Sequence, residues 1–141
     1  MKLRIAVLIT ALALPAAAFA ATPAGGVLAP NCTEAQYKPP KIVLACGDGS
    51  NYLAKLRWSS WTKTTAAASG TNQIDNCTPD CVSGHFKGYA VTVTLSKPVT
   101  CKQQPHKLFS HIVLTYPHQH PGRARTTSGR LRCPPALPQS Y

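Results

Sequence analysis

An all-β fold is the expectation for this chain: a small antiparallel sheet or sandwich of about five strands, disulfide-stabilised, with irregular arms at both ends. Three observations support it. Apolar and polar residues alternate with a period of two along residues 52–61, 86–95 and 108–116, as in strands with one buried side. Glycines, prolines and Asx residues punctuate those runs as turn formers. Cys32, Cys46, Cys77, Cys81, Cys101 and Cys133 make an even set, suited to three bridges in an exported chain.

Export is read from the first twenty residues. Lys2 and Arg4 make a positive start, residues 5–18 are apolar, and Ala18, Phe19 and Ala20 fit the small-x-small cleavage rule, with cleavage after Ala20. The apolar run is too short to span a bilayer and is interrupted by Pro15, and no later segment is apolar enough to do so. The expected address is extracellular or periplasmic. Without residues 1–20, thirteen Lys and Arg face four acids (Glu34, Asp48, Asp75 and Asp80), a net charge of +9. Such a balance favours polyanions: nucleic acid, acidic polysaccharide or anionic lipid headgroups.

Residues 21–40 are rich in Ala, Pro and Gly and are expected as an extended N-terminal arm tied down at Cys32. The β domain is placed at residues 41–116. Residues 41–46 (KIVLAC) have the length and branching of a strand covered on both faces. The turn at residues 47–51 then predicts a hairpin with residues 52–61, whose buried side is read as Tyr52, Ala54, Leu56 and Trp58. Residues 62–74 are threonine-rich and low in bulk, which predicts an edge strand. Tyr89, Val91, Val93 and Leu95 share one face of the next strand. Leu108, Ser110, Ile112, Leu114 and Tyr116 share one face of the last, paired antiparallel with it across a long loop containing Cys101. Residues 117–141 lose all apolar period and are read as a basic, proline-rich tail returning to Cys133. The expected pairs are Cys46 with Cys77 or Cys81, and Cys101 with Cys133.

Leu44, Ala45, Cys46, Asp48, Gly49, Leu53, Leu56, Trp58 and Trp61, followed by Asn76, Cys77, Pro79, Cys81, Gly84 and Phe86, resemble a group of small secreted bacterial proteins of actinobacterial type. That group shares a cysteine-led DGN turn, an L-x-W-x-x-W strand and a C-x-P-x-C turn; here Ser50 replaces the turn asparagine. The resemblance covers about half of the mature chain. It implies secretion and a shared fold, and no particular activity.

Several groups are candidates for chemistry. Asp48, Asp75 and Asp80 sit beside cysteines, where carboxylates on adjoining loops hold Ca²⁺ or simply cap turns. His118 and His120 alternate on an extended segment and are the candidate ligands for a transition metal, although no third ligand is evident. Cys77 and Cys81 are one residue too far apart for a C-x-x-C redox pair. Arg123, Arg125, Arg130 and Arg132, with Lys102 and Lys107, suit the neutralising of several phosphates without reading a sequence, and Tyr116 and Tyr141 are candidates to stack on bases. His85, His111 and Lys87 have the residue types of a ribonuclease-like acid–base set. No G-x-S-x-G elbow is present, no catalytic residue is assigned and no cofactor is implied. The expectation is a secreted, non-catalytic protein that binds polyanions at or outside the cell surface. The alternatives are a secreted phosphodiester hydrolase and a structural envelope protein.

Overall fold

A computed structural model describes residues 26–102 and 104–135. The export segment and Tyr141 lie outside them. Among the described residues the fold is all-β, with eight strands: β1 (Ala29–Asn31), β2 (Glu34–Gln36), β3 (Ile42–Val43), β4 (Asn51–Trp61), β5 (Thr65–Asp75), β6 (Phe86–Thr100), β7 (Lys107–Thr115) and β8 (Thr126–Arg130). β3 to β8 form one six-stranded antiparallel sheet in chain order, and β1 with β2 forms a separate hairpin. Neighbouring pairs are sequential, so each strand is turned back by its own loop.

The expected edge strand is a central one. β5 lies between β4 and β6 because its low bulk is matched across the sheet: Ala68 stands opposite Trp58, and Ala66 opposite Trp61. Small residues beneath large ones fill the layer without clash. The expected two-sided strand at residues 41–46 is instead the two-residue edge strand β3, with Ile42 fully buried. Its hairpin with β4 forms as expected, pairing Ile42 with Leu53 and Val43 with Tyr52.

On β4 the buried face differs from the alternation read from sequence. Leu53 and Leu56 are buried, whereas Tyr52 and Ala54 are only half-buried. A β-bulge lies between Ala54 and Arg57, with Lys55 at φ 53°, and the additional residue changes the parity midway. Gly70 lies under this bulge. A Cβ there would stand 2.8 Å from the Ala54 carbonyl oxygen, so only glycine fits without displacement.

β6 follows its alternation, with Val91, Val93 and Leu95 buried and Tyr89 packed against them. On β7, Ile112 and Leu114 are buried as expected, as is Tyr116 just beyond it, but Phe109 joins the core as well. The strand is covered on both sides there, because Leu108 packs on Leu28 and Cys101 in a second cluster.

The N-terminal arm supplies that cover. Leu28 makes a parallel bridge to Leu108, donating its N–H to the Lys107 carbonyl and accepting from Phe109 N–H, each at 3.0 Å. Three residues on, Asn31 reaches the opposite edge of the sheet: its Oδ1 accepts from Val43 N–H at 2.9 Å and its Nδ2 donates to the Lys41 carbonyl at 3.1 Å. The hairpin thereby joins β7 to β3, and the sheet closes on itself through it. Trp61 and Trp58 fasten the arm by donating Nε1–H to the carbonyls of Val27 (2.8 Å) and Pro39 (2.9 Å). Both tryptophans thus bury their rings while satisfying their one polar group.

The bridges are Cys32–Cys46, Cys77–Cys81 and Cys101–Cys133. The expected Cys101–Cys133 pair forms, but Cys46 joins the arm at Cys32 in place of Cys77 or Cys81, and those two close their own short loop. The reason is the hairpin, which carries Cys32 to the β3 edge beside Cys46. The tail is also more ordered than its composition suggested, since residues 126–130 add to β7 as β8.

Candidate functional site

The charges separate along the strands. All four acids precede residue 81. Three of them gather at one end of the sheet, where the turn before β4 meets the loop between β5 and β6: Asp75 N–H donates to the Ser50 carbonyl, and Cys81 Sγ lies 4.0 Å from Asp48 Oδ2. Asp48 therefore does approach the Cys77–Cys81 loop, without any bridge from Cys46. Each of these carboxylates caps a turn. Asp48 accepts from Ser50 N–H at 3.0 Å, Asp75 from Cys77 N–H at 2.9 Å, and Asp80 from the N–H groups of Val82 (2.9 Å) and Ser83 (2.8 Å). The bonds from the backbone of Ser50 and of Ser83 lower the pKa values of Asp48 and Asp80 from the ordinary 3.8. Among the described residues, no three His, Cys, Asp or Glu side chains form a metal-holding group.

At the opposite ends of β5 and β6 the surface is cationic. Lys63 from the β4–β5 turn joins His106 from the β6–β7 loop and Lys107 at the start of β7 along one groove. Beside it Lys97, His111, Arg130 and Arg132 line a second. Register explains the second set: Ser96, His111 and Arg130 are successive cross-strand partners on β6, β7 and β8. The segment after β8 is held down at three points. Leu131 packs against the core, its N–H donates to the Ser110 carbonyl at 2.9 Å, and Cys133 is bridged to Cys101.

The four tail arginines are therefore not one patch. Arg130 and Arg132 belong to the cationic end with Lys97 and His111, two residues on other strands that lie far from them in sequence. Arg125 lies at the start of β8, roughly 16 Å from Arg130 along the strand, and donates from Nη1 to the Pro117 carbonyl at 3.1 Å. It lines a shallow depression with Lys87, Tyr89, His118 and His120. The candidate histidine pair is thus set beside two cations, which disfavour a metal ion.

The other candidates are placed apart. His85 immediately precedes β6, whereas His111 stands opposite Ser96 near the other end of that strand. Roughly 30 Å of strand lies between them, so they do not meet at one phosphodiester. Lys87 sits over the Tyr89 ring, 5.2 Å from its centroid. Tyr116 does not stack on bases: it is buried, and its hydroxyl accepts from Asn72 Nδ2 at 2.8 Å. Lys63 and Lys97 were missed in the sequence, since only strand register brings them to this end.

Comparison with protein-family models, with curated proteins and with solved structures finds no match to this chain.

Proposed function

We propose that this is an exported, non-catalytic protein that binds extended polyanions through the β6–β8 side of its sheet. One observation carries the reading. Residues 81–141 hold eight Lys and Arg residues and no acid, and the strands formed from that half are neighbours, so β6, β7 and β8 gather cations with no carboxylate of their own. Arg130 and Arg132 present planar guanidinium groups beside Lys97 and His111, a set suited to carboxylate, sulfate or phosphate. Three disulfides suit an oxidising extracellular or periplasmic compartment, and no helix of the described residues is long and apolar enough to cross a membrane.

The test is binding of the mature, oxidised protein to heparin and to a short DNA across a salt series. Each phosphate contact contributes about 0.7–0.9 to the slope of log affinity against log salt. Arg130→Gln with Arg132→Gln is expected to flatten the DNA slope by about 1.5. Absence of binding at low salt, or a slope unchanged in the double variant, would overturn the reading.

A further inference from the structure

Next to the cationic groove the outer face of β5–β8 carries an ordered field of hydroxyls. Successive cross-strand partners form three rows: Ser69–Thr92–Thr115–Thr126, Ala67–Thr94–Val113–Ser128, and Thr65–Ser96–His111–Arg130. The intervening residues Ala66, Ala68, Val93, Leu95, Ile112 and Leu114 are buried, so the rows face away from the core. Every residue of the first row is exposed. At strand and residue spacings of about 4.8 and 3.3 Å, the field measures roughly 14 Å by 13 Å. Eight of its twelve positions are Ser or Thr, its one guanidinium is at the corner where Lys97 and Arg132 adjoin, and it contains no Phe, Tyr or Trp.

We propose that this face takes an acidic polysaccharide, its sugar hydroxyls on the Ser and Thr rows and its carboxylate or sulfate groups in the groove of Lys97, His111, Arg130 and Arg132. The inference rests on the polyanion reading and names the ligand class for that same surface. The chemistry of the field selects among polyanions. Ser and Thr hydroxyls both donate and accept, matching the hydroxyls of a sugar ring. A single-stranded nucleic acid needs a platform of aromatic faces on which successive bases stack, whereas this field offers only the half-buried imidazole of His111, in its last row. A lipid surface calls for exposed apolar side chains, whereas only Ala67 and Val113, both half-buried, are apolar here. Charge complementarity sets the end at which the acidic groups lie.

The experiment compares three probes on the mature, oxidised protein at fixed salt: polygalacturonate, neutral dextran and a single-stranded oligonucleotide. Expected is preference for polygalacturonate over both others. The isosteric variant T92V/T94V/T115V removes hydroxyls from the solvent face of two strands while keeping β-branched side chains. It is expected to lose about tenfold in polygalacturonate affinity, with oligonucleotide binding unchanged and T92S/T94S/T115S retaining the wild-type value. Should the valine variant fail to fold, T115A/T126A removes two hydroxyls from the β7–β8 side and is expected to lose about fivefold. Wild-type polygalacturonate binding by a folded hydroxyl-less variant would overturn the assignment, leaving the rows a solvated sheet face. A preference for the oligonucleotide would overturn it in favour of nucleic acid. Neither result touches the polyanion reading, which fails separately if R130Q/R132Q leaves the salt dependence unchanged.

Discussion

Replacing Cys101 and Cys133 together by alanine tests how the basic segment is held to the sheet. The bridge spans 32 positions, and closing a loop of that size in the unfolded chain corresponds to about 3.7 kcal/mol at 25 °C. For a domain of about 110 ordered residues, unfolding entropy near 0.23 kcal/mol/K converts this to a Tm lower by about 15 °C. The effect should also be local. β8 is exposed at all five positions and pairs only with β7, so without Cys133 its far end is tied by its ladder and by Leu131. The assay is thermal unfolding followed by circular dichroism, with amide exchange of residues 126–130 read in parallel. Cys77→Ala with Cys81→Ala, closing a separation of 4, is the internal control, at about 2 kcal/mol. A shift under about 5 °C for the long bridge, or a larger loss from the short one, would refute the reasoning.

Tyr116→Phe leaves the buried Asn72 amide without its partner and is expected to cost about 1–3 kcal/mol by urea unfolding, most of it recovered when Asn72→Leu is added. Gly70→Ala sets a methyl 2.8 Å from the Ala54 carbonyl oxygen and 2.9 Å from Leu56 Cδ2, with an expected loss of about 1–3 kcal/mol in the same assay. The depressed pKa of Asp80 means that its carboxylate stabilises the fold fully above the ordinary aspartate pKa, and that this stabilisation is lost as pH falls through the lower, folded value. Protection of the Val82 and Ser83 amides, taken relative to their intrinsic exchange rate at each pH, should therefore fall on acidification below about pH 4, and Asp80→Asn should abolish that dependence; a wild-type loop whose protection is insensitive to acid would count against it.

Strand identity is local chemistry, and it was legible. In Val91, Val93 and Leu95, or Ile112 and Leu114, alternate side chains fall on one face whatever lies beyond, and turn residues between them say where the chain reverses. Cysteine pairing was not legible: spacing leaves fifteen connectivities open, and of the pairs expected the fold has Cys101–Cys133 but joins Cys46 to Cys32. The N-terminal arm was not: its apolar content is sparse, and Val27, Leu28 and Ala29 gain their burial only by lying across an edge made by residues some eighty positions later. Nor was the inward side of β4, since the bulge at Lys55 changes parity without a distinctive residue type. The arginines of the tail announced a basic protein, but composition carries no register. Only pairing of β8 on β7 sets Arg130 beside His111 and Lys97, aligns threonines from four strands into rows, and leaves Arg125 at the other end. Those neighbours are fixed by backbone hydrogen bonds between distant segments, which is why the charge could be counted from the sequence but the surface that carries it only from the folded sheet.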